Sequence, residues 1–321
     1  MITLSKIAKL ANVSVSTASK AFSGSKEVNE ETREMIFDIA KKNDCFKKFY
    51  NVRYPKLVIA VIAPEFKSTY YTCCLSYIQN KLQIENSELC VSTTDFSEEN
   101  EKALIKYYYN HSDVDGVIII ASQTDIAAYS EIPIVLINPL SKPKYGISVS
   151  SNLQPALCES IDYLISKNIN SMGFIGEKLT YKKQGLFEQI LKEKGITLDE
   201  AYISISDERF EEGGYRAMEN LFLKHKLPRA IICAYDNMAI GAVRCIYDHG
   251  LSVPQDIAVL GMDDISEAGY LNPPLASISS KTEEICKIAT ETIINQIKGK
   301  NIDQHQTIDS KFILRQSFEI L

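Results

Sequence analysis

The chain has 321 residues, 45% of them hydrophobic and 24% charged, which is enough apolar material for a large core in two or three folding units. No run of about 18 apolar residues occurs, and the opening MITLSKIAKLANVS lacks the basic-then-apolar build of a signal peptide, so a cytoplasmic protein without a membrane span is expected. Residues 1–56 hold 11 of the 35 basic and 6 of the 41 acidic residues, so a head of charge +5 precedes a body of charge −11, and only the head suits a polyanion.

Three short helices are expected in the first 45 residues. Thr3 caps a helix to about Leu10 with Ile7, Leu10 and Ala11 inward. Ser14 caps a second to about Phe22 with Ala18, Ala21 and Phe22 inward. Asn29 caps a third, with Glu30 and Glu31 in its first turn, that buries Met35, Ile36 and Ile39 and ends at Lys41 and Lys42. The connection Asn12-Val13 is as short as a helix-turn-helix joint requires, and Ala8 and Ala11 are small enough for close helix approach.

After Pro55 apolar runs alternate with helical stretches. Strands are predicted over 57–62, 89–92, 116–120, 134–137, 171–175, 202–205, 230–233 and 257–260. Helices are predicted over 70–86, 98–110, 154–167, 183–194, 212–225, 237–249 and 282–298. This is the pattern of doubly wound parallel α/β sheets, and the number of units points to two lobes with a ligand cleft at the strand C-terminal ends.

The eight cysteines form no CxxC pair and the four histidines do not stand at zinc-ligand spacing, so reduced thiols without a metal are expected. GxGxxG after a strand, GxxxxGK[ST] and GxSxG are all missing, and His111, His225, His249 and His305 lie outside any nucleophile motif. Neither an enzyme nor a cofactor is expected.

Two blocks carry a resemblance. IAKLANVSVSTASKA at 7–21 with VNEETR at 28–33, and DNMAIGA at 236–242 with GLSVPQDIAVLGMDDI at 250–265 and PPL at 273–275, are similar in kind and order to the lac repressor family. The resemblance implies an all-α helix-turn-helix head (1–46), a shortened hinge (47–56) and a two-lobed α/β body (57–321) like periplasmic sugar-binding proteins. Its lobes would be roughly 57–151 plus 280–308, and 152–279 plus 309–321. It further implies a homodimeric, DNA-binding transcriptional repressor, because one head reads half of a near-palindromic operator. A sugar or sugar derivative would act as allosteric effector. Two alternatives stay open: a protein corepressor in place of the small effector, and a cytoplasmic solute-binding protein.

In the family the second helix enters the major groove. Carried over by position, Val15, Ser16 and Lys20 face base edges, while Thr3, Ser14, Thr17 and Ser19 hold phosphates. Lys20 stands where Arg is usual and Ser23 where Asn is usual, so the operator is expected to differ from the common one. The hinge lacks the family's minor-groove leucine; Lys47, Lys48, Arg53 and Lys56 can still grip phosphates, and Phe49 or Tyr50 can act as a wedge. The matching effector positions are Tyr70, Tyr71, Asn152, Lys182, Tyr235, Asp236 and Asp263. Asp236 has the alternative of capping the helix 237–249, Asp263 of bracing its own turn, and the two tyrosines of serving as core aromatics. Lys182 replaces a common Arg and Tyr235 a common Asn, and a mobile ammonium there suits a sugar phosphate or sugar acid.

Overall fold

The computed structural model describes residues 2–50, 55–111, 114–129, 132–141, 143, 146–224, 226–300 and 302–320. Two compact units divide the chain, Met1–Leu57 and Val58–Leu321.

In the first unit, α1 (Leu4–Leu10), α2 (Val15–Phe22) and α3 (Glu30–Lys42) each begin at a side-chain cap. The oxygens of Thr3, Ser14 and Asn29 accept from the backbone N–H of Lys6, Thr17 and Thr32 at 3.3, 2.9 and 2.8 Å. Ile7, Ala8, Ala11, Ala18, Ala21, Phe22, Ile36 and Ala40 form the buried centre. Two expected core residues lie outside it: Leu10 is 53% and Met35 42% exposed. The buried stripes are centred on Ile7, Ala8 and Ala11 and on Ile36 and Ala40, and both residues fall beside the stripe on their helix.

A fourth helix, α4 (Phe46–Phe49), was not expected. Its rings fold back on the head: Phe46 stands 6.2 Å from Phe22 and 5.0 Å from Phe37, Phe49 stands 5.6 Å from Phe22, and Tyr50 stacks on Phe46 at 4.9 Å. Phe49 is therefore committed to packing and is not a free wedge; Tyr50 remains exposed. Residues 51–54, and with them Arg53, lie outside the described residues.

The second unit contains two six-stranded sheets. The first is built from β1 (Leu57–Ala63), β2 (Ser87–Thr93), β3 (Gly116–Ile120), β4 (Ile134–Ile137), β5 (Ile147–Asn152) and β11 (His305–Asp309), in the order β11-β5-β4-β3-β1-β2. The second holds β6 (Met172–Glu177), β7 (Ile203–Ser206), β8 (Ala230–Cys233), β9 (Ala258–Met262), β10 (Ala276–Ser279) and β12 (Lys311–Ile313), in the order β12-β10-β9-β8-β6-β7. Only β12 among the described pairings runs antiparallel. The central strands are buried along their whole length, because helices cover both faces of a parallel sheet.

Helices α5 (Thr69–Ile84), α6 (Glu98–His111), α7 (Gln154–Ser166), α8 (Tyr181–Glu193), α9 (Phe210–Leu223), α10 (Asp236–Asp248) and α11 (Thr282–Ile297) provide that cover. Helices α9 and α10 approach closely at Gly241, where a Cβ would stand 1.9 Å from the Glu211 carbonyl oxygen. The chain passes between the sheets after β5, between β10 and α11, and between β11 and β12. The candidate cleft lies at these crossings.

Candidate DNA-reading and effector sites

On α2, Ala18, Ala21 and Phe22 face inward and leave Val15, Ser16, Ser19 and Lys20 on the opposite face. Ser14 and Thr17 share a 2.8 Å hydroxyl contact at the N-terminus, so their hydroxyls serve the cap first. Thr3 likewise caps α1. Lys47 and Lys48 are exposed on α4; Lys48 Nζ lies 3.5 Å from the Ile2 carbonyl oxygen. Lys20 is ion-paired with Glu27, a residue that sequence reasoning passed over.

A cavity of about 360 Å³ opens between the lobes of the body. From the first sheet's side come Tyr70 and Tyr71 at the start of α5, Phe96 after β2 and Asn138 after β4. From the second come Lys183 on α8, Arg209 and Phe210 at the start of α9, Tyr235 after β8 and Asp263 after β9. Most of these follow a strand end, where a parallel sheet presents loops rather than packed side chains. Backbone strain concentrates there too: Ala121, Asn138, Phe210 and Asp263 all have positive φ, at 54°, 45°, 61° and 101°.

The aromatic part of the wall is a connected cluster. Tyr70 and Tyr71 meet edge to face at 5.3 Å, and Tyr71 and Phe96 at 6.2 Å. Asn138 donates to the Tyr70 hydroxyl at 2.7 Å and accepts from the Ser151 N–H at 2.7 Å, which fixes the ring at the cavity edge. Burial pushes the phenols of Tyr70 and Tyr71 up and that of Tyr235 up to about 12, so all three are protonated donors. Tyr235 Oη also accepts from the Phe210 N–H at 3.1 Å.

The charged part is paired. Arg209 lies between the rings of Phe96 and Phe210, 4.9 and 4.6 Å from their centroids. Its Nη1 is 2.8 Å from Glu65 and its Nε 3.7 Å from Glu177. Burial alone would lower the Arg209 pKa, but the Glu65 carboxylate holds it above the ordinary value. Lys183 donates to the Ala234 carbonyl oxygen at 2.7 Å and pairs with Asp263 at 3.5 Å.

Five of the seven expected effector residues line this cavity: Tyr70, Tyr71, Lys182, Tyr235 and Asp263. Lys182 stays exposed at its margin near the Tyr181 ring, and the neighbouring Lys183 reaches inward. Asn152 and Asp236 do not line it. Asn152 donates to Asp309 and accepts from the Gln154 N–H, so it ties β5 to β11 and starts α7. Asp236 is fully buried, accepting from Ser277 Oγ at 2.7 Å and from the Ile265 N–H at 2.8 Å. A Cβ at Gly261 would stand 2.0 Å from its Oδ1. It therefore braces the loop that carries Asp263 and does not cap α10. Arg209, Phe96 and Asn138 were missed because they sit in loops without a motif, brought together only by the fold.

All eight cysteines are free thiols, five of them buried and Cys90 exposed. Among the described residues there is no cluster of His, Cys, Asp and Glu fit to hold a metal, and no helix long and apolar enough to cross a membrane.

A helix-turn-helix head followed by a two-lobed α/β body with an inter-lobe cavity defines a ligand-responsive DNA-binding regulator. Residues 3–44 match the model of bacterial regulatory proteins of the lacI family, and residues 161–318 match that of the periplasmic binding protein-like domain. The chain thus carries a lacI-family helix-turn-helix domain followed by a periplasmic binding protein-like domain. It is 27% identical to the ribose operon repressor of Haemophilus influenzae, over 99% of this chain and 98% of that one. Two solved structures share its fold: the lac repressor dimer bound to operator and the anti-inducer ONPF (TM-score 0.75, 19% identity, 98% of each chain), and a transcriptional regulator CelR–cellobiose complex (TM-score 0.71, 22% identity, 99% and 100%).

Proposed function

We propose that the protein is a homodimeric, cytoplasmic transcriptional repressor without enzymatic activity, and that its affinity for a near-palindromic operator is set by a sugar or sugar derivative held between the lobes. The observation that carries the effector class is the pairing of aromatic faces (Phe96, Phe210, Tyr71) with polar groups (Asn138, Lys183, Arg209, Asp263) around one cavity of about 360 Å³. Rings suit the apolar face of a pyranose or furanose, and charged or amide groups suit its hydroxyls. The division of the chain into head, hinge and lobes follows the same reading.

Residues 15, 16, 19 and 20 would read base edges and sugar-phosphate, with Lys47 and Lys48 adding phosphate contacts. Tyr70, Tyr71, Lys183, Arg209, Tyr235 and Asp263 would hold the effector, and Lys182 would meet any acidic substituent at the margin. Binding across the lobes biases the angle between them, and in a dimer that angle fixes the separation of the two heads.

The test is fluorescence-anisotropy binding of the purified protein to fragments of its own upstream DNA, with unrelated duplex as competitor and a panel of neutral, acidic and phosphorylated sugars. Competitor-resistant binding with a steep salt slope, altered by at least one sugar, is the expected result. Equal weak binding to all fragments, unchanged by any sugar, overturns the reading.

A further inference from the structure

The first 29 residues contain four lysines, at 6, 9, 20 and 26, and a single acidic residue, Glu27. That one acid is ion-paired with Lys20, the one basic residue of α2. A carboxylate beside a surface meant for phosphates repels DNA of every sequence, so its position against Lys20, apart from Glu30 and Glu31 in the first turn of α3, calls for a function.

Its position is also held. Arg33 Nη2 donates to the carbonyl oxygens of Ser25 and Val28 at 2.8 and 3.1 Å, and Ser25 Oγ accepts from the Glu27 N–H at 3.3 Å. The Arg33 guanidinium, four-fifths buried, pins the loop between α2 and α3 from beneath, so Glu27 stands beside the end of α2 without ordering by DNA.

We propose that Glu27 is a specificity-determining residue of the head, and that it reads a G·C base pair together with Lys20. In the major groove guanine offers two acceptors, N7 and O6, and its cytosine offers the N4 donor beside them. An ammonium and a carboxylate in contact match that row: Lys20 Nζ donates to guanine and Glu27 accepts from cytosine N4. On A·T or C·G the carboxylate faces an acceptor, thymine O4 or guanine O6, and repels; on T·A it still meets the adenine N6 donor, but the thymine methyl takes the place of the guanine N7 acceptor beneath the ammonium. The lone lysine, a point charge with little geometric selectivity, thereby gains the discrimination that a guanidinium would have had. This rests on the reading of α2 as the helix that enters the major groove.

The experiment uses the full-length protein and a pool of random 30-base-pair duplexes, from which wild type, Glu27→Gln and Lys20→Ala each select sites. Wild type is expected to enrich a dyad with one fixed G·C pair per half-site. Both variants are expected to relax that same column, with a loss of discrimination on the order of tenfold there and none elsewhere. Glu27→Gln should at the same time bind unrelated duplex more tightly, because one phosphate-repelling charge is gone. A misfolded head would instead weaken both, and circular dichroism of the variant checks this separately. The proposal is overturned if Lys20→Ala relaxes a column and Glu27→Gln leaves it fixed, or if Glu27→Gln relaxes a column that Lys20→Ala does not. Enrichment of no sequence by wild type would overturn the reading of the head itself.

Discussion

Arg209 Nη1 and Glu65 Oε1 stand 2.8 Å apart across the cleft, one at the start of α9 in the second lobe and the other after β1 in the first. The pair is largely removed from solvent, and neither Glu65 Oε1 nor Arg209 Nε finds a hydrogen bond among the described residues. The two lobes are thus joined at this point by a close ion pair.

Arg209→Gln removes the cation that serves both Glu65 and Glu177 and leaves two partly buried carboxylates together. It should destabilise the body by about 1–3 kcal/mol, against less for Glu65→Gln, which leaves Arg209 its second carboxylate. Urea unfolding of the two single variants and the double checks this, with a non-zero coupling energy expected for the pair.

The two neighbouring lysines of α8 should differ. Lys183 reaches Asp263 and the Ala234 carbonyl, whereas Lys182 lies exposed at the margin. Lys183→Met is expected to weaken a neutral sugar effector about tenfold or more and Lys182→Met to leave it near wild type, read by calorimetric titration.

Asp236 gives the body a pH dependence. Its burial, together with the Asp263 carboxylate, raises it from 3.8 to about 7, against the opposing pull of Ser277 and Ile265. The folded state therefore binds this proton more tightly than the unfolded chain. The group's contribution is fully present below about pH 4 and is lost as the pH climbs through 7. Asp236→Asn forfeits one acceptor at every pH but lacks this slope. The stability difference between variant and wild type should move in the variant's favour by a few kcal/mol between about pH 4 and pH 8, measured by urea unfolding across that range.

Two glycines on helices should respond with opposite signs. Gly241→Ala drives a methyl group to 1.9 Å from the Glu211 carbonyl oxygen and must part α9 from α10, at a cost of about 2–4 kcal/mol. Gly185, on α8, has nothing within 4 Å of its missing Cβ, so Gly185→Ala should stabilise by about 0.5–1 kcal/mol. Thermal unfolding followed by circular dichroism distinguishes them.

Much of this was legible in one sequence because it is local. Thr3, Ser14 and Asn29 announce their helices through a single side-chain contact three residues on, and the spans 116–120, 134–137 and 230–233 coincide with β3, β4 and β8, whose continuous apolar runs only a parallel sheet buried on both faces requires. The strands without such runs were not legible: β5 is two-thirds polar, β11 alternates on an edge, β10 has a single large apolar residue, Ile278, and β12 has three residues. Partners distant in the chain supply their stability.

The sequence by itself determined that this chain has a basic helix-turn-helix head, an alternating α/β body and a resemblance to one family, since caps, periodicity and short motifs are properties of neighbours along the chain. Only the tertiary structure decided which side chains share a site. It moved Asp236 from the cavity into the core, turned Asn152 into a tie between strands, committed Phe49 to the head's aromatic cluster and brought Arg209 to Glu65 across 144 positions. The physical reason is that burial and charge pairing depend on distance through space, and two lobes crossed three times by one chain place residues beside each other that no local pattern relates.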